Sequence, residues 1–226
     1  MNAPVVDLSA ALAAGLRALG LALDAAAQRR LLEYLALLQR WNAAINLTAL
    51  REPAQMLTHH LLDSLAVLTP LRRELAARGL DGAARILDVG TGAGLPGVVL
   101  AIAEPDWQVT CVDAVAKKAA FVTQAAALLG LPNLRAQHAR VQGLEGPFDV
   151  VTARAFAALA DFVTWSRRAL VPGGLWMAMK GRVPQDEIAA LPDWVEVFHV
   201  EPLVVPGLDA ERCLVWLRRR DGDKTP

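Results

Sequence analysis

The segment Asp88-Val-Gly-Thr-Gly-Ala-Gly-Leu-Pro-Gly97 concentrates more chemistry than any other stretch of this 226-residue chain. Gly90, Gly92 and Gly94 let a backbone turn sharply and approach a ligand where a Cβ would collide. Asp88 stands two residues before the first of them. A carboxylate there can meet a cationic α-amino group, directly or through water, and it repels a pyrophosphate. Gly92 to Gly97 also satisfies the dinucleotide pattern GxGxxG, a weak signal by itself. No Gly-Lys-Ser/Thr follows, which excludes a P-loop. Asp113 ends the next expected strand, where a carboxylate accepts ribose hydroxyls, as useful to NAD as to S-adenosylmethionine. Each piece has a plainer reading, the glycines as turn formers and the acids as caps. Their conjunction favours a nucleoside pocket, and Asp88 turns it toward S-adenosylmethionine.

Arg154 follows the fourth expected strand, at the carboxyl edge of a sheet. A guanidinium there can pair with the methionine carboxylate of a cofactor or with an RNA phosphate; a surface salt bridge is the plain alternative. Lys180 follows the fifth strand at the same edge and reads equally as a phosphate contact or a solvated strand end. Trp41, Asn42 and Asn46 close the first long helix. Exposed aromatics stack splayed bases, but caps and a core plug account for these three better, and Asn46 stays a substrate-contact candidate only on that footing. His59 and His60 are spaced for neither a metal nor a triad. Cys111 and Cys213 have no CxxC and no His at ligand spacing, so two buried thiols are expected and no metal.

Around these residues the chain divides near Arg85. Residues 8 to 79 carry helical period: a packing helix within Leu8 to Leu23, a helix from the Asp24 cap to about Trp41, another from Pro53 through Leu65, and a short one from Arg72 to Gly79. From Arg85, strands and helices alternate: strands at 85–89, 108–113, 133–138, 148–153 and 175–179, helices at 96–103, 117–129 and 159–170. A short helix follows Pro184, and two strands near 194–200 and 213–217 are close enough to pair antiparallel at an edge. This alternation predicts an α/β, Rossmann-like, mostly parallel seven-stranded sheet with helices on both faces. The expected organisation is a helical region over 1–84 packed on a methyltransferase-type domain over 85–220, with a frayed tail at 221–226. Apolar residues make up 54% and charged residues 20%, and 23 basic residues balance 23 acidic ones. That composition excludes a disordered chain and a basic coat for nucleic acid. No apolar run reaches a membrane span, and a cytoplasmic location is expected.

The motifs resemble those of the ribosomal RNA small subunit methyltransferase G family, also called glucose-inhibited division protein B. They are Arg40-Trp-Asn-Ala-Ala-Ile-Asn-Leu-Thr48, His60-Leu-Leu-Asp-Ser-Leu65, the glycine segment, Ala153-Arg-Ala-Phe156, Met179-Lys-Gly181 and Glu211-Arg212. Ala153 stands where the family more often has Ser, and Cys213 where His usually follows Glu-Arg. The resemblance implies methylation of guanine N7 at one site in small-subunit (16S) rRNA, with S-adenosyl-L-methionine as donor. It supports the cofactor role of Arg154 and places Gly90, Leu95, Val141 and Gln142 around the cofactor, the last two near the adenine. Guanine N7 has a free lone pair, so no general base is needed. Consistently, Thr152-Ala-Arg-Ala-Phe156 stands where exocyclic-amine methylation would have Asn/Asp-Pro-Pro-aromatic. The expected partner is the rRNA within the 30S particle or an assembly intermediate, and the expected state a monomer. The rivals are an NAD(P)-dependent oxidoreductase on the same sheet and a non-catalytic ribosome-assembly binder.

Overall fold

A computed structural model describes residues 7–80 and 82–220; the expected frayed tail at 221–226 lies outside them. Two helices open the described chain. α1 (Leu8–Ala18) is capped by Asp7, whose carboxylate accepts from the Ser9 and Ala10 amides. α2 (Ala25–Ile45) is capped by Asp24, which accepts from Ala27 N at 2.7 Å. α2 runs four residues past the expected end at Trp41, because nothing breaks it before Asn46, a left-handed residue with φ of 52°. Trp41 packs edge-on against Phe121, with ring centroids 5.5 Å apart. Asn42 is buried and ties down the following loop, donating to Leu50 O at 3.0 Å and accepting from Thr48 N at 2.8 Å.

The helix begun by Pro53 does not stay α-helical. α3 (Pro53–Met56) passes into a π-helical stretch, Leu57–Leu62, and then into α4 (Asp63–Leu65). α5 (Leu68–Ala76) starts four residues before the expected Arg72, since Pro70 falls in its first turn, where a missing amide proton costs nothing.

The remaining elements alternate: β1 (Arg85–Val89), α6 (Gly97–Ala103), β2 (Gln108–Asp113), α7 (Ala116–Leu128), β3 (Leu134–His138), β4 (Phe148–Arg154), α8 (Leu159–Ser166), β5 (Leu170–Lys180), α9 (Gln185–Ala189), β6 (Val195–Pro202) and β7 (Cys213–Arg219). They build one seven-stranded sheet in the order β3-β2-β1-β4-β5-β7-β6. β1 to β5 are parallel, and β7 runs antiparallel to both β5 and β6. The last two strands therefore pair as expected, with β7 inserted inside β6. α8 stops at Ser166, short of the expected Leu170, and β5 begins early, its Pro-Gly-Gly absorbed in a register shift against β4.

Alternation along each strand divides the core. Ile86, Val109, Met177 and Trp216 pack with α1, α2, α6 and α7 in one apolar cluster. Leu87, Val151, Trp176 and Val215 point the other way, toward Leu159 and Phe162 of α8. The N-terminal helices thus share a continuous core with one face of the sheet. The carboxyl ends of β1, β2, β4 and β5, which present Asp88, Asp113, Arg154 and Lys180, lie along one edge. In parallel sheets that edge is where ligands bind.

Candidate active site

After β1 the chain crosses onto its neighbour: the amides of Gly90 and Thr91 donate to the Val112 carbonyl of β2 at 2.9 and 3.1 Å. Asp113 shapes the next turn, accepting from Gly92 N at 3.0 Å and Val115 N at 2.8 Å. From the other side, Tyr34 of α2 donates its hydroxyl to the Ala93 carbonyl at 2.5 Å. Burial pushes the Tyr34 phenol well above its ordinary value, which keeps it protonated and donating. Tyr34→Phe is expected to leave that carbonyl unsatisfied and cost about 1–2 kcal/mol of stability, read from denaturant melts. An unchanged midpoint would mean the loop does not lean on α2.

Two cavities meet at Gly90. The first, of about 200 Å³, is a slot lined by Val112, Asp113, Val141, Gln142, Phe156 and Trp165, among others. Its lining is mostly apolar and aromatic, with Asp113, Arg140 and Gln142 as the polar side chains. The second, of about 660 Å³, is bounded by Gly92, Leu95 and Arg154 together with Thr48, His60, Asp63 and Arg212. Ala155 separates the two. Its φ of 51° is left-handed, a conformation costing a non-glycine residue roughly 1–2 kcal/mol. The turn sends Arg154 into the second cavity and Phe156 into the first.

The structure brings most of the sequence candidates to these walls: Gly90, Gly92, Leu95, Asp113, Val141, Gln142, Arg154 and Lys180. Three sit differently from expectation. Asp88 is fully buried behind the loop, on neither wall; its Oδ2 accepts from Thr91 Oγ1 at 2.5 Å and Gly97 N at 3.0 Å, while Oδ1 has no partner among the described residues. Burial raises this carboxyl to about 6. Gly94 also lies off the walls; a Cβ there would come 2.4 Å from Val98 Cγ2, so this glycine serves helix packing. Asn46 is the cap of α2 and accepts from Arg51 Nη2 at 3.2 Å, outside both cavities.

Lys180 reaches the second cavity, but its ammonium is engaged. It donates to Glu187 Oε2 at 2.7 Å and to the Ala157 carbonyl at 3.2 Å, and the same carboxylate oxygen receives the first amide of α8 at 2.8 Å. Lys180 is thus neither a solvated strand end nor a bare cation; it clips α9 to the start of α8. His60 is held near neutrality by burial and by the Arg154 charge, which lower it to about 4, and its Nε2 lies 2.9 Å from Thr48 Oγ1. Sequence reasoning quoted Asp63, Arg212 and Phe156 within the family-like motifs but gave them no role at the site, and it gave none to Tyr34 or Trp165; the motifs themselves were the signal that could have found the first three.

A family model described as rRNA small subunit methyltransferase G matches residues 27–215. The chain belongs to that family. A relative from Acidovorax ebreus (strain TPSY), named Ribosomal RNA small subunit methyltransferase G, is 64% identical over 216 residues, covering 94% of this chain and 96% of its own. One of the same name from Methylibium petroleiphilum is 59% identical over 214 residues, with 94% and 95% covered. Among solved structures, TrmN from Thermus thermophilus superposes with a TM-score of 0.50 at 21% identity, over 73% of this chain and 53% of that one. A ribosomal protein L11 methylase from Lactobacillus delbrueckii subsp. bulgaricus gives 0.50 at 17% identity, over 70% and 77%. These two establish likeness of fold, the Rossmann-like class I arrangement. Family membership makes the chain an enzyme, an S-adenosylmethionine-dependent methyltransferase.

Proposed function

We propose that this chain methylates N7 of one guanine in small-subunit (16S) ribosomal RNA, with S-adenosylmethionine as the donor. The observation that carries the reading is the pair of cavities meeting at Gly90, one a mostly apolar slot that includes Asp113, the other holding Arg154. Their chemistry fits the donor. Val141, Gln142, Phe156 and Trp165 would hold the adenine, and Asp113, although its oxygens already accept two amides, keeps lone pairs for the ribose hydroxyls. Arg154 would pair with the carboxylate of the amino-acid end. When bound, the donor supplies an electrophilic methyl group on a sulfonium.

The protein's own work is then positioning. Guanine N7 offers an in-plane lone pair and no proton, so no residue has to take one, and rate comes from holding nucleophile, methyl and sulfur close and aligned. The oxidoreductase alternative fails on family membership and on chemistry: Tyr34, the single tyrosine, is buried beneath the loop.

Three finer statements belong to the same proposal. The enzyme acts in the cytoplasm, as a monomer, on a 30S particle or an assembly intermediate. Among the described residues no helix is long and apolar enough to cross a membrane, and no cluster of three or more His, Cys, Asp or Glu could hold a metal. A net charge of zero supports the structured substrate, because affinity for bare RNA scales with the phosphates neutralised.

The test is methylation of RNA and of 30S particles from cells lacking the gene, followed by mass mapping of the product. One guanine should gain one methyl group at N7, and the particle should outperform a short oligonucleotide carrying the same guanine. A methyl group on an exocyclic amine or on ribose would overturn the N7 assignment. Equal activity on the oligonucleotide would overturn the structured-particle substrate.

A further inference from the structure

Asp63 stands where the π-helical stretch Leu57–Leu62 gives way to α4, and it is buried at 1% exposure. Its two oxygens are divided between two arginines from distant parts of the chain. Arg154 Nη1 donates to Oδ2 at 2.9 Å, and Arg212 Nε donates to Oδ1 at 2.8 Å. The π geometry adds a third contact. In an α-helix the Asp63 amide would bond to the carbonyl four residues back, that of His59. Here it bonds to the carbonyls of Thr58 and His60 instead. The His59 carbonyl accepts from Arg154 Nη1 at 3.0 Å. Among the described residues both of these Arg154 bonds use Nη1, so its Nε and Nη2 remain for a ligand.

We propose that Asp63 is a positioning residue for the donor site: it fixes the Arg154 guanidinium, paired with Arg212, so that the unbonded edge of Arg154 meets the donor's carboxylate. This rests on the reading of Arg154 as the carboxylate partner. Two arginines share one acid in the cavity wall, which leaves a local surplus of one positive charge to receive an entering anion. The fixed fork matters as much as the charge. A guanidinium held by two acceptors on one nitrogen loses little further freedom when its other nitrogens bind, whereas a free one must be ordered by the ligand. Through Asp63, the N-terminal helices become part of the donor site and not only a cover for the sheet.

A merely structural Asp63 would hold the helices to the sheet and affect every ligand alike, so the test compares two ligands. S-adenosylhomocysteine carries the amino-acid carboxylate; 5′-methylthioadenosine keeps the nucleoside and sulfur without it. Calorimetry on the full chain would compare wild type with Asp63→Asn, Asp63→Glu and Arg154→Ala, each checked by thermal melting. Asp63→Asn is expected to weaken S-adenosylhomocysteine about tenfold and leave methylthioadenosine within roughly twofold; a tenfold loss is about 1.4 kcal/mol, of the order of one hydrogen bond to a charged group. Should Asp63→Asn not fold, Asp63→Glu retains the charge but displaces it, and the same selective loss is expected. Equal weakening of both ligands, or of neither, by the Asp63 variants overturns the proposal. If Arg154→Ala lacks the selective loss, the carboxylate reading of Arg154 fails as well. Selective loss with Arg154→Ala but not with the Asp63 variants sinks the Asp63 role alone.

Discussion

Gly90→Ala is expected to weaken S-adenosylhomocysteine binding by roughly ten- to hundredfold, because one Cβ damages the slot in two ways. Gly90 has a φ of 64°, and an alanine held there carries about 1–2 kcal/mol of left-handed strain. The added Cβ would also sit 2.2 Å from Phe156 Cδ2 and 2.9 Å from Cε2, distances no real contact tolerates. The ring has to move, and it stacks edge-on with Trp165 at 6.0 Å, so the aromatic wall moves with it. An aromatic wall against a base is worth about 1–3 kcal/mol, which sets the size of the affinity loss. Calorimetry and thermal melting separate the two effects. In the double variant Gly90→Ala, Phe156→Ala the clash is gone, so part of the melting temperature should return while the affinity does not. Wild-type affinity in Gly90→Ala would show that the donor does not rest against Phe156 in the slot.

This wall marks the boundary of what could be read from the chain. The glycine loop was legible because its rules are local: an apolar run of strand length, an acid, and residues that tolerate φ above zero. The same local rules located the strand ends that carry Asp113 and Arg154. Val141 and Gln142 came from family resemblance, and the structure sets them in the slot. Contacts across long separations leave no such trace. Asp63 meets Arg154 and Arg212 over 91 and 149 residues, and no periodicity announces that meeting. Ala155 is left-handed where its neighbours Arg154 and Phe156 line separate cavities, and alanine carries no sequence signal for such a turn. Helix ends failed for a related reason. Nothing in α2 after Trp41 favours a stop, so packing on Phe121 carries the helix to Ile45. The occupation of Lys180 was hidden too, because Glu187 lies on α9, whose return toward β5 is a tertiary event.

Asp88→Asn is expected to make the protein more stable relative to wild type as pH rises, and a worse binder of the donor above about pH 6, where wild type carries the charge. Burial raises the Asp88 carboxyl from 3.8 to about 6 in the folded protein. A folded-state value above the unfolded one means that the native state holds the proton more tightly. The stabilisation this provides is fully present below about pH 4 and is lost as pH rises through about 6. Above that, wild type carries a buried charge whose penalty is on the order of 2–3 kcal/mol. An asparagine keeps an acceptor for Thr91 and Gly97 but never ionises, so its own cost is the same at every pH. The stability difference between variant and wild type should therefore grow by on the order of 2–3 kcal/mol between about pH 4.5 and pH 8, read from paired denaturant melts. A flat difference would show that Asp88 keeps an ordinary carboxyl. On the proposed reading, the charge would be retained despite its cost because the donor is cationic at its sulfonium and its α-amino group, and the loop that Asp88 braces lines the second cavity. Oδ1 has no partner among the described residues, and because Asp88 is buried behind the loop, on neither cavity wall, it would act on the donor through the field of its charge and not by direct contact. Stability gained and donor affinity lost in the same variant is the trade expected of a strained functional group, and Asp88→Ala, which also removes the brace on Gly97, should abolish methyl transfer. If Asp88→Asn binds S-adenosylmethionine like wild type at pH 8, the carboxylate only shapes the loop and its charge has no part in binding.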